Sequence, residues 1–221
     1  TVTDGALSAS AELLITVTGV NDAPVAVANT NEVPENGAID LAAASSVLGD
    51  DADVDGDALT VSSIRTGNVA ATDGAQGEIG STLVGAYGIL TLNADGQYRY
   101  ATTASAVDGL AAGATAVDVF TYTITDGAES TSAELLITVT GVNDAPVALG
   151  NTNSVPENGE IELVVDQSLL LDDTDVDGGA LLVTGIRAGA LDDPGTSGSI
   201  GAPFSGAYGT LTVNANGSYS Y

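Results

Sequence analysis

The sequence predicts an all-β protein, built of Greek-key β-sandwich repeats arranged in tandem as a linear rod. Three observations carry this expectation. A block of about 120 residues recurs along the chain, its strand-like segments run with a period of two rather than 3.6, and Gly- and Asp-rich turns separate them.

The recurrence is near-identity. Residues 1–26 and 123–148 differ only at Val2/Ile124, Leu7/Glu129 and Ala9/Thr131, an offset of 122 positions. VPENGAIDL at 33–41 returns as VPENGEIEL at 155–163, and DDADVDGDAL at 50–59 as DDTDVDGGAL at 172–181. GAYGILTLNADGQYRY at 85–100 matches GAYGTLTVNANGSYSY at 206–221, now at an offset of 121, so one residue is lost in an intervening Gly/Ser/Ala-rich stretch. Three units follow: the C-terminal strands of a preceding repeat at 1–21, a complete repeat at 22–143, and the N-terminal part of the next at 144–221. The chain opens inside a repeat and without Met, so a processed product or a window cut from a longer chain is expected, with any export signal or anchor outside it.

Within the complete repeat, strands are expected at 25–33, 38–42, 58–65, 88–93, 97–102, 117–124 and 133–140. Residues 117–124 alternate Val117, Val119, Thr121 and Thr123 against Asp118, Phe120, Tyr122 and Ile124. Ala94-Asp95-Gly96 is a hairpin signal between two such segments, its Gly able to take positive φ. A short helical turn fits only within 104–116. About seven strands in roughly 120 residues describe a Greek-key sandwich. The copy of 133–140 at 11–18 is expected to be a strand as well. Aromatic residues are 4% of the chain, so Val, Ile, Leu and Ala must build the core.

Three Lys and Arg against 30 Asp and Glu give a net charge of −27, which repels phosphate and anionic lipid. Nucleic acid and direct membrane insertion are thereby set aside as partners, and cations are invited. The chain is 44% hydrophobic, unlike acidic disordered segments. Cys, His, Met and Trp are absent. That removes disulfides, thiolate and imidazole metal ligands, and Ser-His or Cys-His catalysis. A paired-carboxylate glycosidase is the one enzyme class left, and it needs an apolar cleft and aromatic platforms where this chain puts its carboxylates in turns. The protein is expected not to be an enzyme. Tyr98/Tyr100 and Tyr219/Tyr221 read as packing residues rather than a sugar platform.

Four motifs carry polar chemistry. Asp51, Asp53, Asp55 and Gly56 fit D-x-D-x-D-G, the opening half of an EF-hand loop, and Asp173, Asp175, Asp177 and Gly178 repeat it. Alternate residues offer oxygens to one centre, which suits the hard cation Ca²⁺. The twelfth position is Ser62 or Thr184 instead of Glu, and the following residues are strand-like, so this is no EF-hand. A solvated acidic turn is the other reading. Against it, each like-charge pair at about 5 Å costs roughly 3 kcal/mol at an effective dielectric near 20. The second motif, VNDAP, places Asn21 and Asp22, then Asn143 and Asp144, at the seams; the third, VPEN, places Glu35 and Glu157 on inter-strand loops; the fourth, TDG, places Asp4 and Asp126 in hairpin turns.

Taken together, VNDAPV, D-x-D-x-D-G-D-x-L at 51–59, G-x-L-T-L-x-x-D-G-x-Y-x-Y at 88–100 and F-x-Y-x-I-x-D-G at 120–127 resemble bacterial cadherin-like repeats. These are the repeats named for Vibrio, Colwellia, Bradyrhizobium and Shewanella, found in giant adhesins and biofilm matrix proteins. The resemblance spans the chain and implies a cadherin/immunoglobulin-like fold with Ca²⁺ at the junctions. It implies one junction built from Glu35, Asp126, Asn143, Asp144, Asp173 and Asp175, and a second from Asp4, Asn21, Asp22, Asp51 and Asp53. The mid-domain acidic triplet of cadherins has no clear match here.

The expected function is that of a structural extender repeat in a secreted or cell-surface bacterial adhesin or fibre, stiffened by calcium and serving adhesion or a biofilm matrix. Its expected partners are neighbouring repeats or identical subunits in a linear array, with surface glycans or matrix as further candidates. Two alternatives stand beside it: a glycan- or ligand-binding adhesin module, and a subunit of an extracellular filament assembled head-to-tail by strand addition.

Overall fold

A computed structural model describes residues 1–41, 46–191 and 195–221, with the backbone alone at 104 and 105. In the complete repeat, two sheets face each other across one core. The first has the order β3-β11-β10-β5-β6, formed by Asn29–Pro34, Ser130–Thr140, Thr115–Thr125, Thr60–Thr66 and Gln76–Gly77. The second has the order β4-β9-β8-β7, from Ala38–Leu41, Tyr98–Thr102, Gly88–Leu92 and Thr82–Val84. All pairings are antiparallel except β3 with β11, which run parallel from Asn29↔Leu135 to Pro34↔Thr140. A helical turn α1 at Ala104–Val107 links the second sheet to β10.

Period-two patterning accounts for the core. On β11, Ala133, Leu135, Ile137 and Val139 point inward, and on β10 the inward set is Asp118, Phe120, Tyr122 and Ile124. They meet Leu90 and Leu92 of β8, Tyr98 and Tyr100 of β9, and Val33, Val47, Val61 and Ile64. Tyr100 and Phe120 pack edge to face with ring centroids 6.2 Å apart. Tyr98 and Tyr100 are therefore core residues. Each buried phenol keeps a polar partner: Tyr98 Oη accepts from Asn31 Nδ2 at 3.1 Å, Tyr122 donates to the Val27 carbonyl at 2.7 Å, and Tyr100 donates to Asp118 at 2.7 Å.

Asp118 is a buried carboxylate on an otherwise apolar face. Besides Tyr100 it accepts the backbone N–H groups of Ala86 (2.7 Å), Tyr87 (3.0 Å) and Gly88 (3.1 Å), the turn that leads into β8. The close approach explains the two glycines of GAYG. A side-chain carbon at Gly85 would collide with the Asp118 carboxylate, and one at Gly88 with the Tyr100 ring. One carboxylate thus bolts the first sheet to the second.

The predicted strands match observed ones with small shifts of boundary. The stretch 25–33 enters the fold as an isolated bridge, Val25↔Ala52, and becomes continuous strand only at Asn29. Residue 42, the last of the predicted strand 38–42, lies outside the described residues. Short strands β6 and β7 were not anticipated. The segment 11–18 departs from expectation: it is no strand, and its Leu13, Leu14, Ile15 and Val17 are exposed. Before residue 21 the regular structure is the hairpin of β1 (Val2–Thr3) with β2 (Ser8–Ala9). In the last unit, β12 (Glu162–Leu163), β15 (Phe204–Ser205), β16 (Thr210–Val213) and β17 (Tyr219–Ser220) rebuild the second sheet. β13 (Ile186–Arg187) and β14 (Ser197–Gly198) form a separate hairpin. Residues 151–156, the copy of β3, remain irregular without a β11 copy beside them.

Two outcomes follow from the core. Asp118→Ala strands three backbone donors and a phenol, and is expected to destabilise the complete repeat by about 3–5 kcal/mol, read from chemical denaturation. An unchanged midpoint would show that Asp118 does not join the sheets. Burial pushes the Tyr98, Tyr100 and Tyr122 phenols above their ordinary value of 10.0. Their neutral forms are favoured by the fold, so their contribution is whole below pH about 10 and is lost as pH climbs through the raised values. Absorbance titration should show these phenolates emerging together with unfolding, not before it.

Candidate metal centre at the repeat junctions

The seam between the complete repeat and the next is built from three short segments. After β3, Pro34 to Gly37 make a tight turn closed by Gly37 N–H on the Pro34 carbonyl, with Asn36 in the left-handed region at φ 59°. The turn brings Glu35 under the end of β11, where its Oε1 accepts from Val142 N–H at 2.6 Å. The linker continues to Asp144, whose N–H donates to Asp177 Oδ2 at 2.7 Å. Asp177 is held by its own loop, since its N–H and that of Gly179 donate to Asp175 Oδ1 at 3.0 and 3.3 Å. The bridge Val147↔Thr174 fixes that loop to the linker.

These contacts gather Glu35, Asp144 and Asp177 so that one carboxylate oxygen from each lies within 4.8 Å of the others. Glu35 is 3% exposed. Glu35 Oε2, Asp144 Oδ2 and Asp177 Oδ1 are all buried with no hydrogen-bond partner. Unpartnered buried carboxylate oxygens are costly, and three converging from two repeats make an all-oxygen donor set that suits a hard divalent cation. Water or carbonyl oxygens would complete a shell of six to eight.

The upstream seam repeats the local plan. Asp22 N–H donates to Asp55 Oδ2 at 2.8 Å, Asp53 Oδ1 accepts from the Asp55 and Asp57 N–H groups, and Val25 pairs with Ala52. Asp53, Asp55 and Asp57 form a second group within 4.8 Å, more exposed than the first. Position 57 is Asp here and Gly179 in the next copy, so the two loops differ by one carboxylate.

The fold regroups the residues that the resemblance assigns to each junction. Asp126 does not join Glu35. The parallel pairing of β3 with β11 sets the TDG turn at the opposite end of an 11-residue strand roughly 35 Å long. There Asp126 Oδ2 accepts from Asn21 Nδ2 at 2.9 Å, so it belongs with Asn21, Asp22 and the 51–57 loop. Asp4 accepts from Ala6 and Leu7 within its own turn, and the Asn21 amide donates instead to Asp126 and the Asp22 carbonyl. Asp51 and Asp173 stand outside the two groups, their Oδ1 atoms accepting from Val27 N–H and Leu149 N–H at 2.7 Å each, while Asp51 Oδ2, like Asp53 Oδ2, is buried without a partner. The third Asp of the motif, 55 or 177, is the one that faces the linker. Asn143 Nδ2 donates to the Asp144 carbonyl at 2.7 Å and shapes the linker. Glu157 is exposed at the far end of the last unit.

Electrostatics follow these placements. The Asn21 hydrogen bond, then the Ala128 and Glu129 N–H groups, hold the Asp126 carboxyl below its ordinary value. Asp4 is lowered by the Leu7 and Ala6 N–H groups. Burial, with Asp50 alongside, pushes Asp51 up. Asp57 and Asp118 were not singled out from the sequence. The DDADVDGD run already contains Asp57, and the signal for Asp118 was a charged residue in phase with Phe120, Tyr122 and Ile124.

The profile of the bacterial cadherin-like domain matches residues 21–141 and again 143–221. The chain belongs to that family. Cadherin-like domains generally bind calcium and bacterial ones are typically extracellular; the family suggests an adhesin-type extracellular repeat. Among the described residues no helix is long and apolar enough to cross a membrane. No curated protein matches the chain. Among solved structures, an endo-fucoidan hydrolase of glycoside hydrolase family 107 is similar at 18% identity and TM-score 0.31, and a variant of it at 19% and 0.33. Each match covers 93% of this chain but only 25% of the hydrolase.

Asn21→Ala tests the regrouping. The ionised Asp126 is favoured by the fold, so its contribution is present above the ordinary carboxylate range and is lost as pH falls through the lowered value. Removing the largest cause should raise the Asp126 pKa, read from its carboxyl resonance in an NMR titration. An unmoved titration would separate Asp126 from the upstream linker.

Proposed function

We propose that this chain is a structural extender segment of a secreted or surface-attached bacterial adhesin or fibre, in which Ca²⁺ at each junction fixes one repeat against the next. The observation that supports it is the set of unpartnered oxygens of Glu35, Asp144 and Asp177. Glu35 belongs to one repeat, Asp144 to the linker and Asp177 to the following repeat, so a cation held by all three ties the two bodies together. Sites of this extracellular kind bind at about 10⁻⁴ to 10⁻³ M, matching a cation-rich exterior. The remaining acidic residues leave the surface strongly negative, which keeps neighbouring rods apart and soluble. In this reading the partners are neighbouring repeats or identical subunits of one array, and the role is mechanical rather than enzymatic: the carboxylates face a seam, and the core tyrosines are closed to ligands.

Small-angle scattering of this chain with Ca²⁺ and then with chelator tests the proposal. The maximum dimension is expected to be longer and better defined with Ca²⁺, and to shorten on chelation. Glu35→Gln should remove most of that response while the unfolding midpoint of the metal-free protein changes little. Identical scattering profiles in the two conditions would sink the calcium-stiffened rod.

A further inference from the structure

The seam has a second side, away from the carboxylates. Between α1 and β10 the chain makes a loop, 107–114, whose root is fixed at several points. Val107 is fully buried in the core, Leu110 packs against it, and Leu110 N–H donates to the Val107 carbonyl at 2.8 Å. The same loop grips the start of the linker: Gly113 N–H donates to the Gly141 carbonyl at 2.9 Å, and Gly141 N–H to the Ala114 carbonyl at 2.8 Å. A side-chain carbon at Gly141 would collide with the Leu110 carbonyl, so only glycine lets linker and loop lie this close.

The tip of this loop lies alongside the next repeat, with about one carbon's room between them. A side-chain carbon at Gly109 would lie 3.8 Å from the Val176 carbonyl oxygen, an ordinary packing distance. Val176 is itself held firmly. It lies inside the turn closed by Gly178 N–H on the Asp175 carbonyl at 3.1 Å, with Gly178 at φ 74°. The upstream copy of that turn supplies an internal comparison. Val54 is 79% exposed, whereas Val176 is 54% exposed. Within these 221 residues no copy of the 107–114 loop lies near Val54, while that loop lies beside Val176.

We propose that the 107–114 loop is a second docking element between successive repeats, one that needs no bound ion and takes the Asp-Val-Asp-Gly turn of the following repeat as its partner. The approach is close and uncharged, with room for one side-chain carbon at Gly109, and the geometry on each side comes from backbone hydrogen bonds. It acts as a stop. Together with the carboxylate cluster it gives the junction two points of attachment, so that loss of one leaves a hinge and not a free joint. The inference stands whether or not the cluster takes calcium.

The chain has no cysteine, which makes a cross-linking test clean. Gly109→Cys with Val176→Cys is compared against Gly109→Cys with Val54→Cys, a pair at opposite ends of the complete repeat. With a short thiol–thiol cross-linker in chelator, the first pair should close at least ~10-fold faster than the second, because the docked loop holds its thiol at high effective concentration. The same excess is expected with Ca²⁺. A rate in chelator no greater than that of the control pair would overturn the proposal, and so would an excess that appears only with Ca²⁺. Gly109→Trp gives an independent reading. The indole must wedge the loop away from Val176, so small-angle scattering in chelator should shift relative to wild type while Gly109→Ala does not. Equal profiles for all three proteins would also overturn it.

Discussion

The parallel pairing of β3 with β11 is the constraint on which both junctions depend. Because the two strands run the same way, β3 enters opposite Leu135, midway along β11, so the segment before it runs back toward the β10–β11 turn, and its exit lies beside the end of β11. The incoming linker therefore meets Asp126, and Glu35 meets the outgoing linker at Val142. An antiparallel pairing would carry Glu35 to the same end as Asp126 and leave the outgoing linker without a carboxylate from either. Everything else at the seam is local: a tight turn at Glu35, an isolated bridge from the linker to the acidic loop, and backbone N–H groups that aim the aspartates.

Two buried carboxylates in this repeat do opposite work, and the count of their partners separates them. Asp118 receives four donors and lies inside the sandwich, so its charge is fully answered by the protein. Glu35 is as deeply buried and receives one donor on Oε1, leaving Oε2 with none. A buried carboxylate saturated by its own fold serves as a fastener. One left half-answered at the boundary between two bodies, beside two more with an unpartnered oxygen, is where the proposed cation would lower the free energy of the assembled state.

The architecture was readable because strand period and repeat are properties of local sequence, and the side on which each residue of β10 and β11 faces follows from them. The assignment of acidic residues to junctions was not, because it depends on strand direction. Asp126 lies nearer in sequence to Asn143 than to Asn21, yet the fold bonds it to Asn21. The choice of Asp177 over Asp173 was hidden for a related reason: alternation in a loop does not say which carboxylate the linker amides will claim. The clearest case is the sixteen-residue segment that occurs identically at 11–26 and 133–148. In the second copy residues 133–140 form a central strand with four side chains in the core; in the first, 11–18 are exposed and form no strand. The same residues have the same propensity, so the difference lies in the partners, β10 and β3, that only one copy has.

The energies at the seam also say what kind of change a cation controls. Three carboxylates within 4.8 Å repel by roughly 3 kcal/mol for each pair at an effective dielectric near 20, before salt screening reduces it. Without a counter-ion the repulsion falls on Asp144 and Asp177, whose only hydrogen bond to each other is that of Asp144 N–H on Asp177 Oδ2, so a small rotation of the linker between its fixed ends relieves it. The sandwich need not loosen, because its sheets are joined by Asp118 and by an apolar core that the seam does not share. The junction is thus the soft coordinate and the repeat the stiff one. On the proposed reading, an array built this way would respond to a cation by bending or straightening at its seams, with each repeat unchanged.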